Sequence, residues 1–207
     1  MADGCCNPSV PATGGAVMRV PLFPLNSLIL PRGRMSLQLF EPRYVDMLSR
    51  CLRHDRGFVV VLIRDGQETS PTCAFYDIGT YVRVVDFKSM DNGMLGITVA
   101  GEAKVAVLDC WRREDGLNEG DVEWLMDEPA IPTPSFHEEL VSVLRALLQH
   151  PSIREMELDI DYSDSRDVGW RLTELLPLEK NDKQRLAEMV DPLERLESLH
   201  DIIDALE

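Results

Sequence analysis

Apolar residues in the first part of the chain occur in short runs that proline and polar residues interrupt. The segment 21–44 contains four of these prolines: Pro21, Pro24, Pro31 and Pro42. Because proline lacks a backbone N–H and disfavours a helix before it, no long helix can form ahead of Pro42. The pattern instead favours two short extended segments, Leu28–Leu30 and Met35–Phe40, joined by a Pro-Arg-Gly-Arg turn.

A helix is predicted to begin at Pro42, since the fixed φ of proline suits the first helical position. Its apolar residues recur at the i, i+3, i+4, i+7 and i+8 positions of one helical face. They are Tyr44, Met47, Leu48, Cys51 and Leu52. The helix is expected to end before Gly57.

The chain then takes on the pattern of strands. Phe58–Ile63 is continuous and β-branched, which is typical of a strand buried on both faces. Asp91-Asn92-Gly93 predicts a type I′ hairpin turn, and Gly101 is expected to end a strand. Further strands are predicted at Cys73–Tyr76, Thr80–Phe87, Met94–Ala100, Lys104–Asp109 and Asp121–Met126. Seven or eight short strands with one inserted helix indicate a mixed, barrel-like β domain.

The pattern becomes helical after a proline-rich boundary. Ser135-Phe136-His137-Glu138 reads as a capping box at the start of the first helix, and Asp191-Pro192 as the cap of the last. Four helices in all predict a small helical bundle. The expected organisation is a disordered leader (1–17), a β domain (18–127), a proline-rich linker (128–134) and a helical subdomain (135–207).

Several of these segments resemble one known family. Leu22-Phe23-Pro24-Leu25, followed by Phe40-Glu41-Pro42-Arg43-Tyr44, is similar to the opening of the N-terminal, substrate-binding domain of ATP-dependent Lon proteases. Further matching marks follow in order: Phe58–Ile63, Ile78-Gly79-Thr80, Gly101–Val105, and Trp170 with Leu175-Leu176-Pro177-Leu178. The resemblance covers roughly residues 18 to 200. It implies an α+β fold: a PUA-like mixed β pseudo-barrel with one inserted helix, followed by a C-terminal helical bundle.

Charge is distributed unevenly along the acidic chain. The net charge is −15; residues 1–100 carry 10 Lys and Arg against 9 Asp and Glu, whereas residues 101–207 carry 11 against 27. Such an acidic second half would repel nucleic acid and anionic lipid. A group of arginines in the first half (Arg32, Arg34, Arg43, Arg50, Arg53 and Arg56) is interpreted as solvated surface. The five cysteines form no C-x-x-C, and no export signal is present, so reduced thiols and a cytoplasmic location are expected.

The motifs of the common catalytic and metal sites are missing from the sequence. It contains neither the phosphate-cradling G-x-x-x-x-G-K-[ST] loop nor a G-x-S-x-G elbow, and His137-Glu138 lacks the second histidine of a zinc protease motif. The acidic segment Asp159–Asp164 departs from the calcium-loop pattern. Cys51 and His54 share a helix at i, i+3, but a buried core thiol is the favoured interpretation. We therefore expect no enzyme activity, no cofactor and no metal.

Four residues are the candidates for binding a partner. Arg43 could meet a carboxylate of the partner, although pairing with the nearby Glu41 is the favoured interpretation. Phe40, Trp111 and Trp124 are candidate aromatic anchors, since aromatic side chains dominate binding hot spots. The resemblance implies a non-catalytic polypeptide-recognition module that binds proteins or unfolded segments, with an adaptor role in proteolysis as its extension. The alternative is a PUA-like protein that binds RNA, which the net charge disfavours.

Overall fold

The structure, a computed structural model, describes residues 16–68, 74–89 and 95–205. It is a mixed α+β protein, as predicted, and its chain divides into two compact units that meet between Met126 and Asp127. The predicted leader lies almost wholly outside the described residues, and so do Cys73 and the predicted Asp91-Asn92-Gly93 turn. None of the helices that the structure describes has the length and apolar character needed to span a bilayer.

The first unit combines one helix with one six-stranded sheet. The elements are β1 (Val17–Leu25), β2 (Arg34–Leu39), α1 (Pro42–Arg53), β3 (Phe58–Asp65), β4 (Ala74–Ser89), β5 (Leu95–Arg112) and β6 (Asn118–Trp124). The strand order is β2-β5-β4-β3-β1-β6, and β6 also pairs with β5. The strands β5, β4, β3, β1 and β6 therefore form a closed ring of pairings, to which β2 is added at β5. Among the described residues, the strands are fewer and longer than predicted.

Strand β1 was not predicted, because Pro21 and Pro24 argue against a strand inside a sheet. The structure accommodates both prolines by staggering the two neighbours of β1. Residues 17–22 pair with β6, whereas residues 22–25 pair with β3, so that only Leu22 has a partner on both sides. Each proline thus lies where β1 has a single strand neighbour, which is the kind of position at which a sheet tolerates proline.

Gly101 was expected to end a strand, but β5 continues through it. The glycine is needed because another backbone segment crosses there. Arg32 N–H donates to Gly101 O at 2.8 Å and Gly101 N–H donates to Gly33 O at 2.9 Å. A Cβ at this position would lie 2.2 Å from Leu30 O. Gly101 therefore marks a close approach of two backbones within a continuous strand. Residues 74–76 of one predicted strand and the predicted strand Thr80–Phe87 likewise belong to one strand, β4.

Strand β3 is buried on both faces, as predicted, and separates two apolar clusters. Phe58 and Val60 pack on one side, with the buried residues of α1, Phe23 of β1 and Ile97 of β5. Val59 and Val61 pack on the other side, within the ring of strands. Helix α1 begins at Pro42 as predicted and buries Tyr44, Met47, Leu48 and Cys51. Leu52, expected on the same apolar face, is exposed.

The second unit consists of helices around an almost completely buried one. After a short 3₁₀ turn (Ser135–His137), the helices are α2 (Glu138–Leu147), α3 (Pro151–Arg154), α4 (Ser165–Leu175), α5 (Lys180–Glu188) and α6 (Pro192–Asp204). Every residue from Ser165 to Thr173 is buried. Leucine and valine side chains of α2, α4, α5 and α6 form one apolar cluster. Asp191 caps α6 as predicted, accepting from Leu193 N–H at 2.8 Å. The predicted capping box at Ser135 does not form, since Pro134 occupies the cap position.

A buried ion pair anchors this unit. Arg195, fully buried in α6, donates to both carboxylate oxygens of Glu128, at 2.7 and 2.6 Å. Trp170 Nε1 donates to the same carboxylate at 3.2 Å, and Arg195 also donates to Leu186 O at 2.9 Å. Because both charges are paired and hydrogen-bonded, the pair fixes the start of the unit to α4, α5 and α6.

Gly101→Ala is expected to destabilise the first unit by at least about 2 kcal/mol, because the new Cβ meets backbone that cannot give way. Gly96→Ala is the matched control in the same strand, since the nearest atom to its Cβ would be Lys88 Cγ at 3.3 Å, in a flexible side chain, and the nearest backbone atom would be Lys88 O at 3.5 Å, an ordinary van der Waals contact. Urea denaturation of both variants measures the difference. Equal losses of stability would contradict this account of Gly101.

Arg195→Met is expected to cost about 3–5 kcal/mol, because it leaves the Glu128 carboxylate buried without its charged partner. The control is Arg185→Met, which breaks a pair with Asp182 at 3.7 Å between side chains that are each about half exposed, and should cost less than about 1 kcal/mol. The double change Glu128→Leu, Arg195→Met should recover part of the loss. Urea denaturation followed by helical circular dichroism tests all three.

Candidate functional site

Phe40 is the most exposed of the four predicted binding residues. It follows β2 directly and precedes α1, and its residue is 62% exposed. β2 alternates: Met35 and Leu37 pack against the apolar cluster of α1, whereas Ser36 and Gln38 are exposed. Phe40 therefore stands at the end of a strand that carries a polar outer face.

A shallow cleft lies beside this strand on the sheet. Among the residues lining it are Ser36 and Gln38 of β2, Gly96 and Thr98 of β5, and Lys88 of β4. Gly96, which pairs with both Gln38 and Lys88, leaves the floor without a side chain. Phe87, 63% exposed, also lines the cleft. The sequence analysis did not identify Phe87, because its position in a strand pattern does not show that it is exposed.

Arg43 makes local contacts, as the favoured interpretation stated. Its Nη2 lies 2.7 Å from a carboxylate oxygen of Glu41, and its Nη1 donates to Gly116 O at 2.8 Å. The guanidinium also stacks over the Tyr44 ring, 4.7 Å from its centroid. The Arg43 side chain is only 10% exposed. This geometry ties the start of α1 to the loop between β5 and β6.

Trp111 lies on the outside of the ring of strands. The register of β5 and β6 shifts between Val107 and Asp109. Since a bulge changes which side chains point inward, Val107 packs inside whereas Trp111 does not belong to the inner cluster. The Arg19 guanidinium lies over its ring at 4.7 Å from the centroid, and Arg19 Nε is 3.3 Å from Asp121. Trp111 is therefore a half-buried surface aromatic with a cation above it.

Trp124, by contrast, belongs to the inner apolar cluster. It packs against the buried Tyr81 in an edge-on contact with ring centroids 4.9 Å apart. In the β5–β6 register Trp124 pairs with Val105, six residues from Trp111, which corresponds to about 20 Å along the strand. The two tryptophans therefore do not form one aromatic surface. Of the four candidates, Phe40 and Trp111 are presented to solvent in separate places, whereas Arg43 and Trp124 make internal contacts.

The arginine group of the first half is partly neutralised. Arg43 pairs with Glu41, and Arg50 lies 3.7 Å from an Asp115 carboxylate oxygen. Arg53 and Arg56 are exposed near the end of α1. Such a group provides a solvated surface and lacks the continuous basic footprint that phosphate backbones require.

Cys51, which the sequence analysis interprets as a core thiol, is a buried residue of α1. The Cys51 thiol is buried, donates to Gly57 O at 3.5 Å, and has its pKa raised by burial, which disfavours the thiolate. Within the residues that the structure describes, no cluster of three or more His, Cys, Asp or Glu side chains could hold a metal ion.

His137, in the second unit, is a buried titratable residue whose side chain lacks hydrogen bonds. The residue is 3% exposed and, among the described residues, neither ring nitrogen has a hydrogen-bond partner. Burial and then the charge of His200, whose ring centroid lies 6.5 Å away, lower the pKa of His137, while Glu197 opposes this. The lowered pKa favours the neutral form of the ring in the folded protein.

The sequence of this chain is similar to those of known proteins. Residues 19–205 match the family model described as the ATP-dependent protease La (LON) substrate-binding domain. The chain is 25% identical over 194 residues to a Lon protease of Endomicrobium trichonymphae, covering 90% of this chain and 24% of that protein. It is 23% identical over 215 residues to a LON peptidase N-terminal domain and RING finger protein of Schizosaccharomyces pombe, covering 86% and 43%. The chain thus spans about a quarter of the first of these relatives and under half of the second.

A solved structure gives the same picture. The crystal structure of a Lon N-terminal domain protein from Xanthomonas campestris superposes with a TM-score of 0.73 at 33% identity, covering 89% of this chain and 98% of that one. The resemblance seen in the sequence is confirmed by these matches.

The buried ring of His137 makes stability depend on pH. The free energy of unfolding should fall as the pH drops below about 6.5, because the unfolded chain takes up a proton that the native ring resists. Each unit by which the pKa is lowered corresponds to about 1.4 kcal/mol. His137→Leu should flatten the change in urea midpoint between about pH 7.5 and about pH 5.5, whereas His150→Gln, at an exposed position, should keep the original slope. The same slope in both variants would refute the assignment.

Proposed function

Because the chain belongs to the substrate-binding domain family of ATP-dependent protease La (LON), we propose that it is a non-catalytic module that recognises exposed segments of other polypeptides. The match of residues 19–205 to the family model is the observation that carries this proposal. The described geometry agrees with it, since the first unit presents exposed aromatic side chains to solvent and buries the Cys51 thiol of α1.

The finer fold assignment belongs to the same proposal. The closed ring of strand pairings supports a PUA-like pseudo-barrel over residues 18–127, with α1 as the inserted helix. The apolar cluster shared by α2, α4, α5 and α6 supports a helical bundle within residues 135–207, after a linker at 128–134. The buried Cys51 thiol, which forms no disulfide, agrees with the expected cytoplasmic location.

We assign the recognition to Phe40 first and to Trp111 second. Phe40 is exposed to solvent at the end of β2, next to the cleft. Trp111 is a surface aromatic whose ring face is covered by the long side chain of Arg19, which a partner would have to displace. We assign Arg43 and Trp124 an indirect role, in which they support the surface residues, because their own contacts are within the protein. An adaptor role follows as an extension: a recognition module in one chain would present its client to a protease or to another processing enzyme carried by a separate chain.

The RNA-binding alternative is disfavoured by charge. The net charge of −15 would repel phosphates, and two arginines of the first unit, Arg43 and Arg50, lie beside carboxylates that offset their charge. Binding of structured RNA at low salt that weakens steeply as salt is added would favour that alternative.

The proposal predicts selective binding of unfolded protein. Fluorescein-labelled α-lactalbumin, permanently unfolded by reduction and carboxymethylation, should bind the purified chain, whereas native α-lactalbumin should not; fluorescence anisotropy measures both. Phe40→Ser should weaken binding about fivefold to thirtyfold, the effect of losing an aromatic hot spot of about 1–2 kcal/mol. Phe136→Ser is the matched control, since Phe136 is an equally exposed phenylalanine in the second unit (70%). Failure to distinguish unfolded from native protein would overturn the proposal.

A further inference from the structure

Among the described strands, β2 is the one that has a strand neighbour on one side only along its whole length, since it pairs with β5 alone. Each of the other five strands pairs with at least two strands, although not along its whole length: residues 83–89 of β4, for example, pair with β5 but not with β3. A strand edge carries backbone N–H and C=O groups that point away from the sheet, which is where another extended chain can add.

Among the described residues, β2 lacks three of the usual protections of an edge strand: a bulge, a proline and an inward-pointing charge. Its six residues pair with β5 in a continuous register, from Arg34 with Ala100 to Leu39 with Leu95, without a bulge. The strand contains no proline, and the side chains on its inner side are apolar rather than charged. This edge is therefore regular enough to serve as a template.

Two apolar side chains on the inner side of β2 are only partly buried, and an added strand would cover them further. Leu39 is 2% exposed, but Met35 and Leu37 remain only partly buried although they pack against the same apolar cluster. Side chains of a neighbouring strand would lie beside them and remove this apolar surface from water. An occupant therefore needs apolar side chains at alternate positions.

Charge selects the occupant further. Residues 26–40 contain two arginines, Arg32 and Arg34, and no aspartate or glutamate, in a chain of net charge −15. Both arginines are exposed. A carboxylate on the incoming segment would be attracted there, whereas pairing two copies of the chain would bring two strongly acidic proteins together.

We propose that the open edge of β2 binds an extended polypeptide segment by strand addition, with alternate apolar side chains against Met35 and Leu37 and an acidic residue near Arg34. The proposal rests on the proposed function and names its site and the chemistry of its ligand. Backbone hydrogen bonds supply the affinity, and Phe40 lies at the end of the same strand to contact the segment beyond it.

Hydrogen exchange of the full chain, followed by NMR, tests the backbone contact. On addition of unfolded, carboxymethylated α-lactalbumin, alternate amides within Arg34–Leu39 should exchange at least about tenfold more slowly, because only every second N–H of an edge strand faces the added chain. Binding without protection of β2 amides would overturn the inference and leave the proposed function standing. Absence of any polypeptide binding would overturn the proposed function itself. Protection that arises without a ligand and rises with protein concentration would show that a second copy occupies the edge, which also overturns the inference.

A synthetic peptide separates backbone from side-chain recognition. The probe is an acetylated peptide of alternating threonine and valine that ends in glutamate, with two analogues that carry N-methyl groups on either the valines or the threonines. One analogue should lose at least about tenfold in affinity and the other should bind nearly as the parent, since each blocks one edge of the peptide strand. Equal behaviour of the two analogues would contradict strand addition.

Charge reversal tests the position of the carboxylate. Arg34→Glu should weaken the glutamate peptide about threefold to fivefold and strengthen a lysine-ended peptide by a similar factor, the range of exposed ion pairs. Arg53→Glu, at an exposed position of α1, is the control and should change neither affinity. A reversal that affects both peptides equally would place the acidic residue elsewhere and refute this part of the proposal.

Discussion

The first unit depends on one long strand, β5, which pairs with three others. β4 pairs with residues 95–106 of β5 along one side, while β2 pairs with residues 95–100 and β6 with residues 105–112 on the other. The two partners on the shared side cannot overlap, so the change from β2 to β6 takes place around Gly101. There the backbone of residues 30–33 fills the space through hydrogen bonds to Gly101. Because β2 and β6 pair with successive parts of the same side of β5, this transition lets β6 close the ring of strands and leaves β2 at the edge of the sheet.

Elements whose signal is local could be predicted from the sequence, and elements that depend on distant neighbours could not. Helix α1 follows from Pro42 and one apolar face, and β3 follows from an unbroken β-branched run. β1 was missed because Pro21 and Pro24 are tolerated only through the staggered pairing with β3 and β6, which come much later in the chain. Gly101 was read as a strand end, because a glycine required by a crossing backbone gives the same local signal as one that breaks a strand.

The same distinction applies to individual side chains. The pairing of Arg43 with Glu41, two residues away, could be predicted from the sequence. The outward direction of Trp111 could not, because it depends on a bulge in β5 that has no recognisable sequence pattern. Glu128 was assigned to a linker without a role, although it is buried against Arg195 and Trp170. A glutamate next to a proline-rich segment is usually exposed, and its partner lies 67 positions later. Such a pair becomes visible only when the helices are assembled.

The physical character of an edge strand suits the task that the family match implies. Backbone N–H and C=O groups are the same in every unfolded segment, so strand addition provides affinity that depends little on sequence. Sequence preference then arises from the side chains on either side of the strand: the apolar flank of Met35 and Leu37, the arginines near its start, and Phe40 at its end. A folded protein hides its strand edges and apolar segments, whereas an unfolded one exposes both at once. A site that needs both features together therefore discriminates by the state of folding of its partner, without an active site and without a fixed recognition sequence.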